Sequence, residues 1–308
     1  MIMEIKIEHI ICFFVTAFVF KAVSDAQERT FDETRAFEYL EKQCEFGPRN
    51  PGSEGHAACR SYLISELKKF TPQVIRQDFT HYDEELKKSI VMSNIIASFP
   101  SSKDVSEWVM LCAHWETRPR ADRDRNPENR NLPIFGANDG ASGVAVLLEI
   151  ANLISRYEPL YNVDIVLFDG EDYGREGDYD NYLLGSRYFV KHKKRDSYSF
   201  GILLDMIGDK NLRIPKENYS HEFLPELTDK IWKRARSLGI RQFVDRIGDE
   251  IFDDHHILIQ AGIPVVDIID FEYEPYWHTL RDTPDKCSPK SLKAVEDLLV
   301  AILYQGWN

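Results

Sequence analysis

The sequence predicts a single-domain α/β protein with a mostly parallel, twisted central sheet and helices on both of its faces. Three observations predict it. A chain of 308 residues that is 43% hydrophobic and 12% aromatic can bury one large core and sits near the upper size of a single domain. Strand-like runs alternate with helical stretches, the pattern of a parallel sheet whose crossovers cover both faces. No internal repeat, low-complexity tract or linker divides the chain.

The elements follow in order. Ala36 to Glu45 carries a helical pattern that stops at Gly47-Pro48-Arg49-Asn50-Pro51-Gly52-Ser53, and a second helix runs from His56 to Phe70 with Ser53 or Glu54 near its N-cap. Strand-like runs lie at Val74 to Phe79, Ile90 to Phe99, Val109 to Ala113, Val163 to Asp169, Gly201 to Met206 and Val265 to Ile269. Between them, Ala141 to Ser155, Leu184 to Lys193, Glu222 to Leu238, His255 to Ala261 and Pro289 to Tyr304 read as helices. The polar stretch Thr117 to Leu132 is a long loop after a strand end, where open α/β sheets put their ligand sites.

Residues 1–26 read as a signal peptide. Ile10 to Phe20 is an apolar run broken only by Thr16 and followed by the small and polar Ala22, Ser24 and Ala26. The run is shorter than the roughly 20 residues a spanning helix needs. A buried N-terminal helix is the alternative reading. The expectation is an exported chain, periplasmic or secreted, with residues 27–308 as one catalytic domain and no stable membrane insertion after removal of the leader. Of five cysteines, Cys44, Cys59, Cys112 and Cys287 would remain. They lack the spacing of a zinc cluster. Cys44 and Cys59 flank a turn and can pair in an oxidising compartment, whereas Cys112 in its apolar run reads as a small buried hydrophobe. A net charge of -13 argues against nucleic acid and anionic membranes, which such a surface repels.

Acidic and His-bearing motifs recur at the strand ends: His114-Trp115-Glu116, Asn138-Asp139-Gly140, Asp169-Gly170-Glu171-Asp172, Leu204-Asp205-Met206, Asp253-Asp254-His255-His256 and Trp277-His278-Thr279. Any one of them is first a helix cap or a solvated turn. Their joint placement changes this, because a parallel sheet gathers strand carboxyl ends along one edge. Many carboxylates converging there repel one another without a cation, and Asp, Glu and His without Cys suit zinc, with three ligands leaving one position open for catalysis. Glu171 and Asp172 are neighbours, so one can bind metal while the other handles protons.

At these motifs, together with Phe46-Gly47-Pro48-Arg49-Asn50-Pro51-Gly52-Ser53 and Gly136-Ala137-Asn138-Asp139-Gly140-Ala141-Ser142-Gly143, the chain resembles the M28 zinc peptidase-like family, with a zinc exopeptidase-like fold. Within it the chain is most similar to bacterial-type glutaminyl-peptide cyclotransferases, from about Phe37 to Tyr304. The resemblance implies that Asp139, Asp172 and His278 bind one zinc ion, that Glu171 transfers protons, and that Asp205 and Asp253 form an acidic pair beside it. Asp253 stands where two-zinc aminopeptidases of the family usually have Ser, and Trp277 where they usually have Tyr. Glu116 and Asp172 depart from the family's usual Asp and Glu. His114 would join Asp205 in holding a second metal if the chain were a peptidase.

The expected substrate is a peptide or protein with N-terminal Gln, converted to pyroglutamate with release of ammonia. Trp277 is expected to pack against the Gln stem. Trp115 is expected in the core or the cleft wall, His255 and His256 in structural roles, and Arg118 and Arg120 as solvated loop charges. A zinc aminopeptidase is the first alternative and an inactive binding module on the same fold the second.

Overall fold

The structure, a computed structural model, describes residues 33–273 and 275–307. The expected signal peptide at residues 1–26 lies outside the described residues. The elements in chain order are α1 (Glu33–Glu45), α2 (Glu54–Phe70), β1 (Val74–Asp83), β2 (Lys88–Phe99), β3 (Trp108–His114), α3 (Ala141–Arg156), β4 (Asn162–Phe168), α4 (Leu184–His192), β5 (Phe200–Asp205), β6 (Ile214–Lys216), α5 (Asn218–Phe223), α6 (Pro225–Ser237), β7 (Phe243–Ile247), α7 (Asp254–Gln260), β8 (Val265–Ile269) and α8 (Pro289–Gln305). Among the described residues, no helix is long and apolar enough to cross a membrane.

The main sheet has the order β1-β2-β4-β3-β5-β8. Strands β4, β3, β5 and β8 are parallel. The hairpin β1-β2 adds two antiparallel pairings at one edge. Side chains alternate across the sheet, as the pleat requires. Leu111, Ile165 and Ile202 pack on one face with Leu40 of α1, Leu63 of α2, Leu147 of α3 and Leu298 of α8. Met110, Cys112, Val166 and Leu203 pack on the other with Phe189 of α4 and Leu258 of α7. Each such buried side chain contributes about 1.5–3 kcal/mol relative to exposure, so the helices are held on both faces as expected.

The helix expected over Glu222 to Leu238 is two helices. Pro225 offers no N–H and disfavours the helical conformation at Leu224, which adopts φ -133°, ψ 51°. The small parallel pair β6-β7 was not expected, because three residues in β6 are too few to show a period. Ser53 is the α2 N-cap, its Oγ accepting from His56 N at 3.0 Å. Cys44, Cys59, Cys112 and Cys287 are buried free thiols, so the pairing left open for Cys44 and Cys59 is not made. Burial pushes these two thiols up to about 11 and about 12.

The turn after α1 has a specific task. Arg49 is fully buried, and its guanidinium donates to the carbonyls of Trp115 at 3.2 Å, Phe135 at 2.8 Å and Gly136 at 2.7 Å. It staples both ends of the long loop that follows β3.

Candidate metal and catalytic site

The carboxyl ends of the parallel strands place the chemistry at one edge. His114 is the last residue of β3, Asp205 the last of β5, and Glu171 and Asp172 sit in the turn after β4. Asp139 immediately precedes Gly140, the N-cap of α3. Asp253 is the N-cap of α7, and Trp277 and His278 follow β8. Asp139, Glu171, Asp172, Asp205, Asp253, Trp277 and His278 all line one open cleft of about 540 Å³.

Two residues of that cleft have left-handed backbones, Met206 at φ 46° and His278 at φ 54°. Such conformations cost roughly 1–3 kcal/mol in non-glycine residues and cluster at functional sites. Gly140, at φ 99°, meets a different demand: a Cβ there would lie 2.5 Å from the Glu116 carbonyl oxygen and 3.1 Å from His114 Cε1. Only glycine lets the Asp139 turn close against the His114 ring.

Asp139, Asp172 and His278 are buried and offer ligand atoms all within 4.8 Å of one another. His278 Nε2 lies 3.0 Å from Asp172 Oδ2 and 3.4 Å from Asp139 Oδ2. Both of those oxygens lack a hydrogen bond among the described residues. Unpaired buried carboxylate oxygens are costly, and an imidazole with two such oxygens is a donor set that fits a divalent cation. His114, Asp139 and Asp205 form a second group of the same span. There, His114 Nε2 is already engaged, 3.2 Å from Asp139 Oδ1 and 3.2 Å from Asp205 Oδ1. Burial opposes the imidazolium, but Asp139, Asp205 and Glu116 outweigh it and hold His114 well above the usual histidine range.

Glu171 has the opposite character. Burial, then the carboxylates of Asp172 and Asp253, hold its carboxyl well above the usual range, the condition a proton-transfer group needs near neutrality. Burial and then Asp205 do the same to Asp253, and Asp205 is also raised, by burial first. Asp172 goes the other way, because Arg118 and His278 outweigh its burial and keep it ionised. One cleft thus holds a carboxylate fit to bind metal beside carboxyls fit to carry protons.

Several residues build the site in ways the sequence did not indicate. Arg118, expected to be a solvated charge, is 1% exposed. It donates to Asp172 Oδ1 and, through Nε and Nη2, to both Asp122 oxygens. Arg120 is half-buried and donates to the carbonyls of Tyr173 and Gly174, each at 2.8 Å. Asp282 accepts from the Asn138 and Asp139 amides at 2.9 and 3.1 Å, which fixes the Asp139 turn. Glu116 accepts from Asp172 N at 2.9 Å, so its departure from the family's usual residue serves the turn after β4. Each belongs to a tertiary contact that no local pattern announces.

The remaining expectations divide. Asp169, first of its acidic motif, turns from the cleft to His56 Nε2 at 2.9 Å and Ser93 N at 2.6 Å. Trp115 is fully buried and stacks on His56 at 4.5 Å. Trp277 is half-buried, stacked on His278 at 3.9 Å and edge-on to Phe271.

The family model described as Peptidase family M28 matches residues 94–303. The glutaminyl cyclase of Bacteroides thetaiotaomicron, solved bound to N-acetylhistamine, is 39% identical with a TM-score of 0.83, covering 89% of this chain and 98% of that one. A leucine aminopeptidase precursor of Bacteroides thetaiotaomicron is 38% identical with a TM-score of 0.84, over 89% of this chain and 97% of that one. The glutaminyl-peptide cyclotransferase of Drosophila melanogaster is 23% identical over a 268-residue alignment that covers 76% of this chain and 70% of that one. With two thirds of its length matched by the family model and its cleft built as described, the chain belongs to peptidase family M28.

Proposed function

We propose that the chain is a zinc-dependent glutaminyl-peptide cyclotransferase acting on peptides and proteins with N-terminal Gln. One observation carries this: the cleft holds three raised carboxyls, Glu171, Asp253 and Asp205, beside the Asp139, Asp172 and His278 ligand set, whose two facing carboxylate oxygens are unpaired among the described residues. The cyclase names on solved structures that are 39% and 38% identical and cover 89% of this chain support it.

Zinc held by Asp139, Asp172 and His278 would supply Lewis-acid polarisation of the Gln γ-amide carbonyl. Glu171 accepts a proton as the substrate α-amine nitrogen bonds to Cδ, the carbonyl carbon of the side-chain amide, closing the five-membered ring. The same proton passes to the nitrogen of the breaking amide bond, which leaves as ammonia. General acid–base help of this kind is worth about 10²–10⁴-fold. Asp253, whose proton affinity burial and then Asp205 raise, and Asp205 hydrogen-bond the amine or the leaving amide through a retained proton. Trp277 walls the cleft, where its ring can pack on the Gln stem. The rate rises as the substrate amine deprotonates, near roughly pH 7.7–8.0.

A second reading, a zinc aminopeptidase, is favoured by the His114, Asp139 and Asp205 grouping. Zinc titration of the metal-free chain separates the two. Activity on a Gln-initiated peptide is expected to saturate near one equivalent, and a requirement for two would favour the peptidase. We also propose export, with cleavage between about residues 24 and 29 as the apolar run suggests; an intact N-terminus on extracellular or periplasmic protein would count against it.

A further inference from the structure

Behind the cleft, three buried side chains are short of partners. Asp253 Oδ2, His255 Nδ1 and both oxygens of Asp267 lack a hydrogen bond among the described residues. One polar atom from each of the three lies within 4.8 Å of the others. Buried polar atoms are almost always paired, because an unpaired one keeps its full desolvation penalty.

The other ring nitrogen of His255 is engaged. His255 Nε2 lies 3.0 Å from Glu217 Oε2. Glu217 is 1% exposed and also accepts from the amides of Tyr219 at 2.9 Å, Ser220 at 2.6 Å and Ile251 at 3.0 Å. A carboxylate surrounded by donors can only accept, so the ring proton of His255 belongs on Nε2. That leaves Nδ1 a bare acceptor, 3.7 Å from Asp267 Oδ2. Burial, then Asp253, makes Asp267 hold its proton well above the usual carboxylate range, which supplies what Nδ1 lacks. Glu217 also holds Ile251, two residues before Asp253, on the loop that walls the cleft.

We propose that His255, oriented by Glu217, is a positioning residue of the acid–base machinery: its Nδ1 accepts the hydrogen bond of a proton shared by Asp267 and Asp253, and so keeps Asp253 aimed into the cleft. This rests on the cyclase function proposed above. No part of it requires His255 to touch substrate or metal.

The test replaces His255 in the zinc-loaded enzyme with Gln, whose amide reaches the Nε2 position and keeps the Glu217 contact while deleting Nδ1. The expected result is kcat lower by about tenfold to hundredfold, the range outer-shell partners carry, with KM and zinc content unchanged. Wild-type kcat in that variant overturns the proposal and leaves His255 a strut between α7 and Glu217. If the variant does not fold, neutron diffraction of the wild-type holoenzyme decides. A deuteron on Nε2, a bare Nδ1 and a deuteron on Asp253 or Asp267 support it; a deuteron on Nδ1, or a metal among the three side chains, overturns it. Failure of the wild-type enzyme to form pyroglutamyl peptide would sink the cyclase function alone, because the deuteron map does not depend on activity.

Discussion

Arg118 occupies one oxygen of Asp172 and leaves the other facing His278 Nε2 at 3.0 Å. The guanidinium, itself balanced by Asp122 at 2.6 Å, thereby decides which lone pairs of Asp172 remain for a metal. It also keeps the carboxylate ionised inside a cleft crowded with negative charge.

Arg118→Lys keeps the charge but not the fork that grips Asp122 and Asp172 together. Zinc affinity is expected to fall about tenfold to hundredfold, with secondary structure unchanged. Competition against a chelator of known affinity measures it, and an unaltered zinc affinity would show that Arg118 does not orient the ligand.

Glu171→Gln preserves shape and hydrogen bonding but cannot carry the proton. Turnover is expected to drop by about 10²–10⁴-fold with KM nearly unchanged. Steady-state kinetics on a Gln-initiated peptide check both numbers, and a raised KM with intact kcat would place Glu171 in binding instead.

His278→Ala removes the one imidazole of the ligand set, so metal and activity are expected to go together. The fold is expected to stay, since the sheet core lies apart from the ion and needs none, unlike a zinc finger. Metal analysis beside circular dichroism reports both, and full zinc binding by the variant would mean that the ligands are misassigned.

That Asp139, Glu171, Asp172, Asp205, Asp253, Trp277 and His278 line one cleft was legible in the sequence. Asp139, Glu171, Asp172, Asp205 and Asp253 each sit at or near an element end, and alternation of strands with helices is enough to bring such ends to one edge, while Trp277 and His278 come from the loop that follows β8. What stayed hidden was everything set by contacts distant in sequence. Arg118 meets Asp172 across 54 positions, and Asp282 reaches the Asp139 amide across 143. The division at Leu224 was legible in principle from Pro225, whose ring breaks a helix that the hydrophobic period alone would carry through.

The Glu217 clamp predicts an acid-sensitive stability. Burial raises its carboxyl, but His255 and the amides of Ser220 and Ile251 outweigh this and hold it at about 2 against 4.5 for the free group. A depressed carboxyl stabilises the fold above the unfolded value, and the effect fades as pH falls from 4.5 through 2. Glu217→Gln should therefore cost about 3 kcal/mol at neutral pH and almost nothing near pH 2. Denaturant unfolding across that window checks it, and a penalty independent of pH would mean that packing, not charge, makes Glu217 important.

The most direct measurement is the mass of the product formed by the zinc-loaded chain from a mixture of Gln-initiated and Leu-initiated peptides. The account predicts that the Gln peptide becomes lighter by one ammonia with its chain intact, while the Leu peptide is untouched. Free N-terminal leucine, with no pyroglutamyl product, would contradict it and make the enzyme an aminopeptidase.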